Sequence, residues 1–145
     1  MCVGYPDTDV LILLLDLVSR GFISPQIHVK FITGKGTKSR TINVNDRIQV
    51  IGARKCQGLI GIHNFSGADW GGKFVGITKK TWINAYLNLD DDDPALECFQ
   101  NLGTQTIPDQ LVSNELPEIV KGLEKFVCNV YCSKGPTNLP ALGTL

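Results

Sequence analysis

Apolar residues change their spacing repeatedly along this chain, and each change marks an element. The longest run, Val10 to Val18, follows the turn-forming Pro6-Asp7-Thr8-Asp9 and ends before Gly21. It predicts a helix over 10–20, entered from a strand end at 1–5. From Gln26 to Ile32 polar and β-branched residues alternate, and the glycine turn 33–37 leads to a second such stretch at 40–44, which predicts a hairpin. Ile48, Val50 and Ile51, then Leu59, Ile60 and Ile62, return to helical spacing around Gly52 and Gly58. They predict two short helices ending near Asp69.

Past Gly71-Gly72-Lys73, residues 77–87 carry Ile77, Trp82, Ile83 and Tyr86 on one side and lysines on the other, the pattern of a helix with an outward basic face. Asp90 to Asp93 ahead of Pro94 combines a solvated run with an N-cap aspartate and a first-turn proline, so a helix starts there and runs over 95–102. Residues 114–132 read as a longer amphipathic helix, and Gly135-Pro136 opens a loop expected to be cut short.

Composition narrows the class. Of 145 residues 43% are hydrophobic and 19% charged, enough apolar surface for a packed core and too little charge for a disordered segment. Lys plus Arg equals Asp plus Glu at 14 each, so any nucleic-acid binding has to come from local patches. Five scattered cysteines with no secretory leader point to an intracellular setting, nuclear or cytoplasmic, without a disulfide-linked partner. The apolar run at 10–18 is interrupted by Asp16 and falls short of the about 20 residues a bilayer demands, so no membrane span is expected. Asp7 and Asp9 stand where a signal peptide would be basic.

The candidate chemistry lies in two acidic clusters, Asp7 with Asp9 and, sixty residues on, Asp69 in Ser66-Gly67-Ala68-Asp69-Trp70. Mg²⁺ and Mn²⁺ prefer carboxylate and water oxygens, and nucleases use them to activate water and steady a leaving oxygen. Brought to one sheet edge, Asp7, Asp9 and Asp69 would serve as catalytic metal ligands. Taken singly, Asp7 or Asp9 is explained as a helix cap and Asp69 as a turn residue. Lys73, Lys79 and Lys80, and also Lys35, Lys38 and Arg40, are placed to touch a phosphate backbone, although solvated lysines explain them too. The segment Gly34-Lys35-Gly36-Thr37 lacks the order of a phosphate loop. His28 and His63 read as structural, Cys128 and Cys132 lack a second zinc-ligand pair, and Ser66 lacks a nucleophile elbow.

The phrases Asp7-Thr8-Asp9-Val10, Thr33-Gly34-Lys35-Gly36 and Cys56-Gln57-Gly58-Leu59-Ile60-Gly61-Ile62-His63-Asn64-Phe65-Ser66-Gly67-Ala68-Asp69 resemble a widespread animal family that is similar to the PIN-like, flap-endonuclease superfamily. The resemblance runs over about residues 3–142. It implies a parallel sheet with helices, divalent metal bound by Asp7, Asp9 and Asp69, and phosphodiester hydrolysis. Ala68 departs from the usual cysteine before that aspartate, and the family pattern continues upstream of Met1 with further carboxylates.

The expected fold is therefore α/β, an incomplete PIN-like domain: a short parallel sheet core within 1–70 and a mostly helical remainder. The nuclease-core portion spans 1–89 and a helical extension 90–145, ending in a truncated loop. The expected function is Mg²⁺- or Mn²⁺-dependent hydrolysis of nucleic acid in the full-length family prototype, weak or absent in a truncated chain. The alternative is a non-catalytic interaction domain or mobile-element remnant. A doubly wound small-molecule enzyme lacks its glycine fingerprint here.

Overall fold

A computed structural model describes residues 2–4, 8–67, 74–102 and 118–133. In chain order these form β1 (Cys2–Gly4), α1 (Thr8–Ser19), β2 (Lys30–Thr33), a 3-10 turn at Gly36–Lys38, β3 (Arg40–Asn43), α2 (Val44–Ile51), α3 (Ala53–Phe65), α4 (Lys79–Leu87), α5 (Pro94–Asn101) and α6 (Glu118–Cys132).

The parallel-sheet core expected of an α/β, PIN-like domain is not what forms. The described residues are mostly helical. The sheet, ordered β1-β2-β3, is mixed: β1 pairs parallel with β2 over three positions, and β2 pairs antiparallel with β3. The alternation at 26–32 matures into a strand only at Lys30–Thr33. Ile27 is exposed, and its carbonyl accepts a hydrogen bond from Asn45 Nδ2 at 3.2 Å instead of extending the ladder. Strands this short bury too little to be the centre of a domain. One face of the hairpin still reaches the core, through Val29, Phe31 and Val44.

Helices build that core. α3 lies against α1, α4 and α5, and Gly58 and Gly61 let its neighbours approach its backbone. A Cβ on Gly58 would run into the Tyr86 hydroxyl, and one on Gly61 into the Phe99 carbonyl. Around this crossing sits an aromatic cluster. Trp82 has its ring centroid 5.9 Å from both Phe65 and Phe126, and Phe99 lies 5.4 Å from Phe65 and 5.1 Å from Phe126. Most of these rings meet edge to face, the arrangement the ring quadrupole favours.

Local chemistry sets the helix ends. Asp93 Oδ1 accepts from Ala95 N at 2.8 Å and Pro94 follows, so α5 starts where the acidic run predicts. Thr78 caps α4 through Thr81 N. Gly52, at φ 93°, separates α2 from α3, whereas Gly58 stays inside α3 as a packing residue. α1 begins at Thr8, earlier than the apolar run alone predicts, which puts Asp9 in its first turn.

Candidate functional site

Three helix ends meet on one side of the molecule. Asp9 comes from the first turn of α1, where the helix dipole favours a carboxylate, and His63 from the last turn of α3, where it favours a cation. Asp9 Oδ1 lies 2.9 Å from His63 Nε2, with the aspartate side chain 54% exposed and the histidine 16%. Lys79, in the first turn of α4, reaches the same point: its Nζ lies 3.2 Å from His63 Nε2 and donates to the Gly67 carbonyl at 3.2 Å. Behind this group the Ser66 side chain, almost fully buried, donates from Oγ to the His63 carbonyl at 3.1 Å and fixes the end of α3.

His63 Nε2 holds at most one proton. It either donates to Asp9 or accepts from Lys79. The shorter Asp9 contact favours the first arrangement, which leaves the ammonium directed at Gly67 O. The cluster thus pairs a carboxylate with an imidazole and an ammonium, and it ties α1, α3 and α4 together.

Asp7, Asp69 and Lys73 lie outside the described residues. Asp9 is the one predicted metal ligand within them. Through His63 and Lys79 it connects to Gly67, two residues ahead of Asp69, so chain from both acidic clusters enters one cluster of contacts. Lys80 is exposed, whereas Lys79 turns inward, contrary to the outward basic face expected of 77–87. The structural reading of His63 did not extend to its contact with Asp9. No local signal gives it, because the pair joins helices 54 residues apart in sequence.

The donor set decides what a metal would meet. Among the described residues no group of three or more His, Cys, Asp or Glu gathers to hold an ion. Asp9 supplies the hard oxygen chemistry Mg²⁺ or Mn²⁺ takes, and its exposure leaves it reachable. Asp7 and Asp69 adjoin the cluster in sequence and are of the same hard-oxygen donor class.

A second polar group lies along the α1–α3 contact. Asp16, nearly buried, accepts from Arg20 Nε at 2.7 Å, and Arg20 also donates to the Gln57 carbonyl at 3.0 Å. Next to it burial, reinforced by the Asp16 charge, pushes the Cys56 thiol up to about 11. A thiol so held is neutral and a poor nucleophile. Burial likewise raises Tyr86 well above the usual phenol range, and its hydroxyl donates to Lys55 O at 2.7 Å. Both groups are structural.

Cys56, Cys98, Cys128 and Cys132 are unbridged thiols, and among the described residues no helix is long and apolar enough to cross a membrane. No protein-family model matches the chain, and neither a curated protein nor a solved structure is detectably similar to it.

Proposed function

We propose that the protein binds nucleic acid and hydrolyses its phosphodiester bonds at the junction of α1, α3 and α4, with Asp7, Asp9 and Asp69 as ligands for Mg²⁺ or Mn²⁺. The observation that carries this reading is the link from Asp9 through His63 and Lys79 to Gly67, just ahead of Asp69. A divalent ion held by these aspartates would supply the acidity that turns a water into a nucleophile at neutral pH. The chain's own groups do the rest. His63 holds Asp9 in position, Lys79 places a cation beside that pair, and Lys73 and Lys80 offer ammonium groups to phosphate oxygens.

The same contacts favour a second reading, a non-catalytic interaction domain in which Asp9, His63 and Lys79 only clasp three helices. Incubating an end-labelled oligonucleotide with the protein in Mg²⁺, Mn²⁺ or EDTA separates the two. Metal-dependent cleavage abolished by Asp69→Asn and by Asp9→Asn supports hydrolysis. Cleavage indifferent to Asp69→Asn removes the site, and the absence of any heat on titrating folded protein with either metal leaves the clasp.

A further inference from the structure

The β2–β3 hairpin has a composition of one kind. Residues 33–41 are Thr, Gly, Lys, Gly, Thr, Lys, Ser, Arg and Thr, every side chain a cation, a hydroxyl or a bare glycine. No Asp or Glu occurs anywhere in 17–45. Although the chain is neutral as a whole, eleven Lys and Arg stand against five Asp and Glu over 1–89, and three against nine over 90–145. The even bulk balance conceals this separation.

Those hairpin cations are also unengaged. Among the described residues Arg20, Lys55 and Lys121 pair with carboxylates, whereas Lys35, Lys38 and Arg40, all exposed, have no such partner.

The tip is held in shape. Gly34 adopts φ 87°, and a Cβ there would strike the Lys38 carbonyl. Lys38 N donates to Lys35 O and Ser39 N to Gly36 O, each at 3.1 Å, forming the 3-10 turn. At its base Asn45 Oδ1 accepts from Val29 N at 2.8 Å, and Val29 and Phe31 are buried. A rigid ribbon that ends in unpaired cations loses little freedom on meeting a polyanion.

We propose that Lys35, Lys38 and Arg40 form a docking surface for the sugar-phosphate backbone of nucleic acid. A protein partner would want an apolar or aromatic anchor, and 33–41 offers none, while cations and hydroxyls are the donors phosphates take. With no aromatic side chain in 33–41 on which unstacked bases could lie, the surface suits duplex in preference to single strand. It is built from elements other than the Asp9 cluster and needs neither metal nor turnover.

The test is fluorescence anisotropy of a labelled 20-base-pair duplex with the full chain in EDTA, between 50 and 200 mM KCl. Three backbone contacts predict a log–log salt slope of about −2.7, so affinity falls about 40-fold across that range. The triple variant Lys35→Gln, Lys38→Gln, Arg40→Gln should bind about tenfold or more weakly at 50 mM with a flattened slope. The charge-retaining Lys35→Arg, Lys38→Arg variant should keep wild-type binding, and matching circular dichroism melts exclude misfolding. Equal affinity and slope for wild type and triple variant overturn the proposal, as does no duplex binding at 50 mM. So does charge-dependent association with anionic phosphatidylserine vesicles in place of duplex, or self-association reversed by the triple variant. Because EDTA is present throughout, loss of this surface and loss of hydrolysis are separate results.

Discussion

Asp9 carries its charge in a helical first turn beside an imidazole, and the value of that pair is limited by its own exposure. With the carboxylate side chain 54% exposed, solvent screens much of the attraction to His63. A double-mutant cycle of Asp9→Asn and His63→Gln, read by urea unfolding, should give a coupling of about 0.5–1 kcal/mol, shrinking in 0.5 M salt. A coupling of several kcal/mol would mark the pair as a buried keystone instead. Thiol chemistry is a second residue-scale contrast. Cys56 is buried with its thiol raised from 9.0 to about 11, whereas Cys128 and Cys132 are exposed on α6. Iodoacetamide at pH 8, followed by peptide mass spectrometry, should label Cys128 and Cys132 first and reach Cys56 only after unfolding. The raised value also sets a direction: the unfolded chain gives up this proton before the folded one. The contribution of Cys56 to stability is therefore complete below pH 9.0 and is lost as pH climbs towards about 11.

Among the elements, α3 has least room for change, because its two internal glycines are contact points for other helices. Gly61→Ala places a methyl against the Phe99 carbonyl, a backbone atom that cannot swing aside. It should cost about 1–3 kcal/mol in chemical denaturation, the usual range for overpacking, despite the better helix propensity of alanine. Wild-type stability in that variant would mean that α3 and α5 do not pack as closely as Gly61 allows. Elements were legible wherever periodicity and punctuation agreed. The acidic run and Pro94 mark α5, Gly21 follows α1 closely, and Gly34 with Gly36 marks the hairpin turn. The strand at 1–5 and the hairpin were legible, but the start of β2 was not, because the alternation at 26–29 reflects a loop whose backbone is held by Asn45, a side chain from another element. The parallel-sheet core was what the resemblance implied and not what this alternation gave, and Trp82, Phe99 and Phe126 fill the role of core between helices. The site was legible only in part. Asp9 stood out by its position before an apolar run, but its partner His63 lies on α3 in a mostly apolar sequence with no spacing rule to join them.

At the scale of the molecule, the separation of charge makes the acidic stretch as consequential as the basic hairpin. Within Asp90–Asp93 two residues have structural partners: Asp91 lies 3.6 Å from Lys55 Nζ, and Asp93 caps α5. The side chains of Asp90 and Asp92 have none among the described residues, although the Asp90 carbonyl accepts from Asp93 N. Their charge leaves the fold unsupported and acts outward, on any polyanion that comes within its range. Such repulsion reaches about 10 Å at 0.1 M salt and farther at lower ionic strength. Asp90→Asn with Asp92→Asn should therefore strengthen duplex binding about two- to threefold at 50 mM KCl by raising the association rate, and the gain should vanish near 0.3 M. The melting temperature should stay within the small range of surface substitutions. Stopped-flow anisotropy at the two salt concentrations measures the rate directly. An unchanged rate at 50 mM would mean that the acidic half does not act on the ligand, and an increase that persists at 0.3 M would mean that the substitutions create contacts instead of removing repulsion.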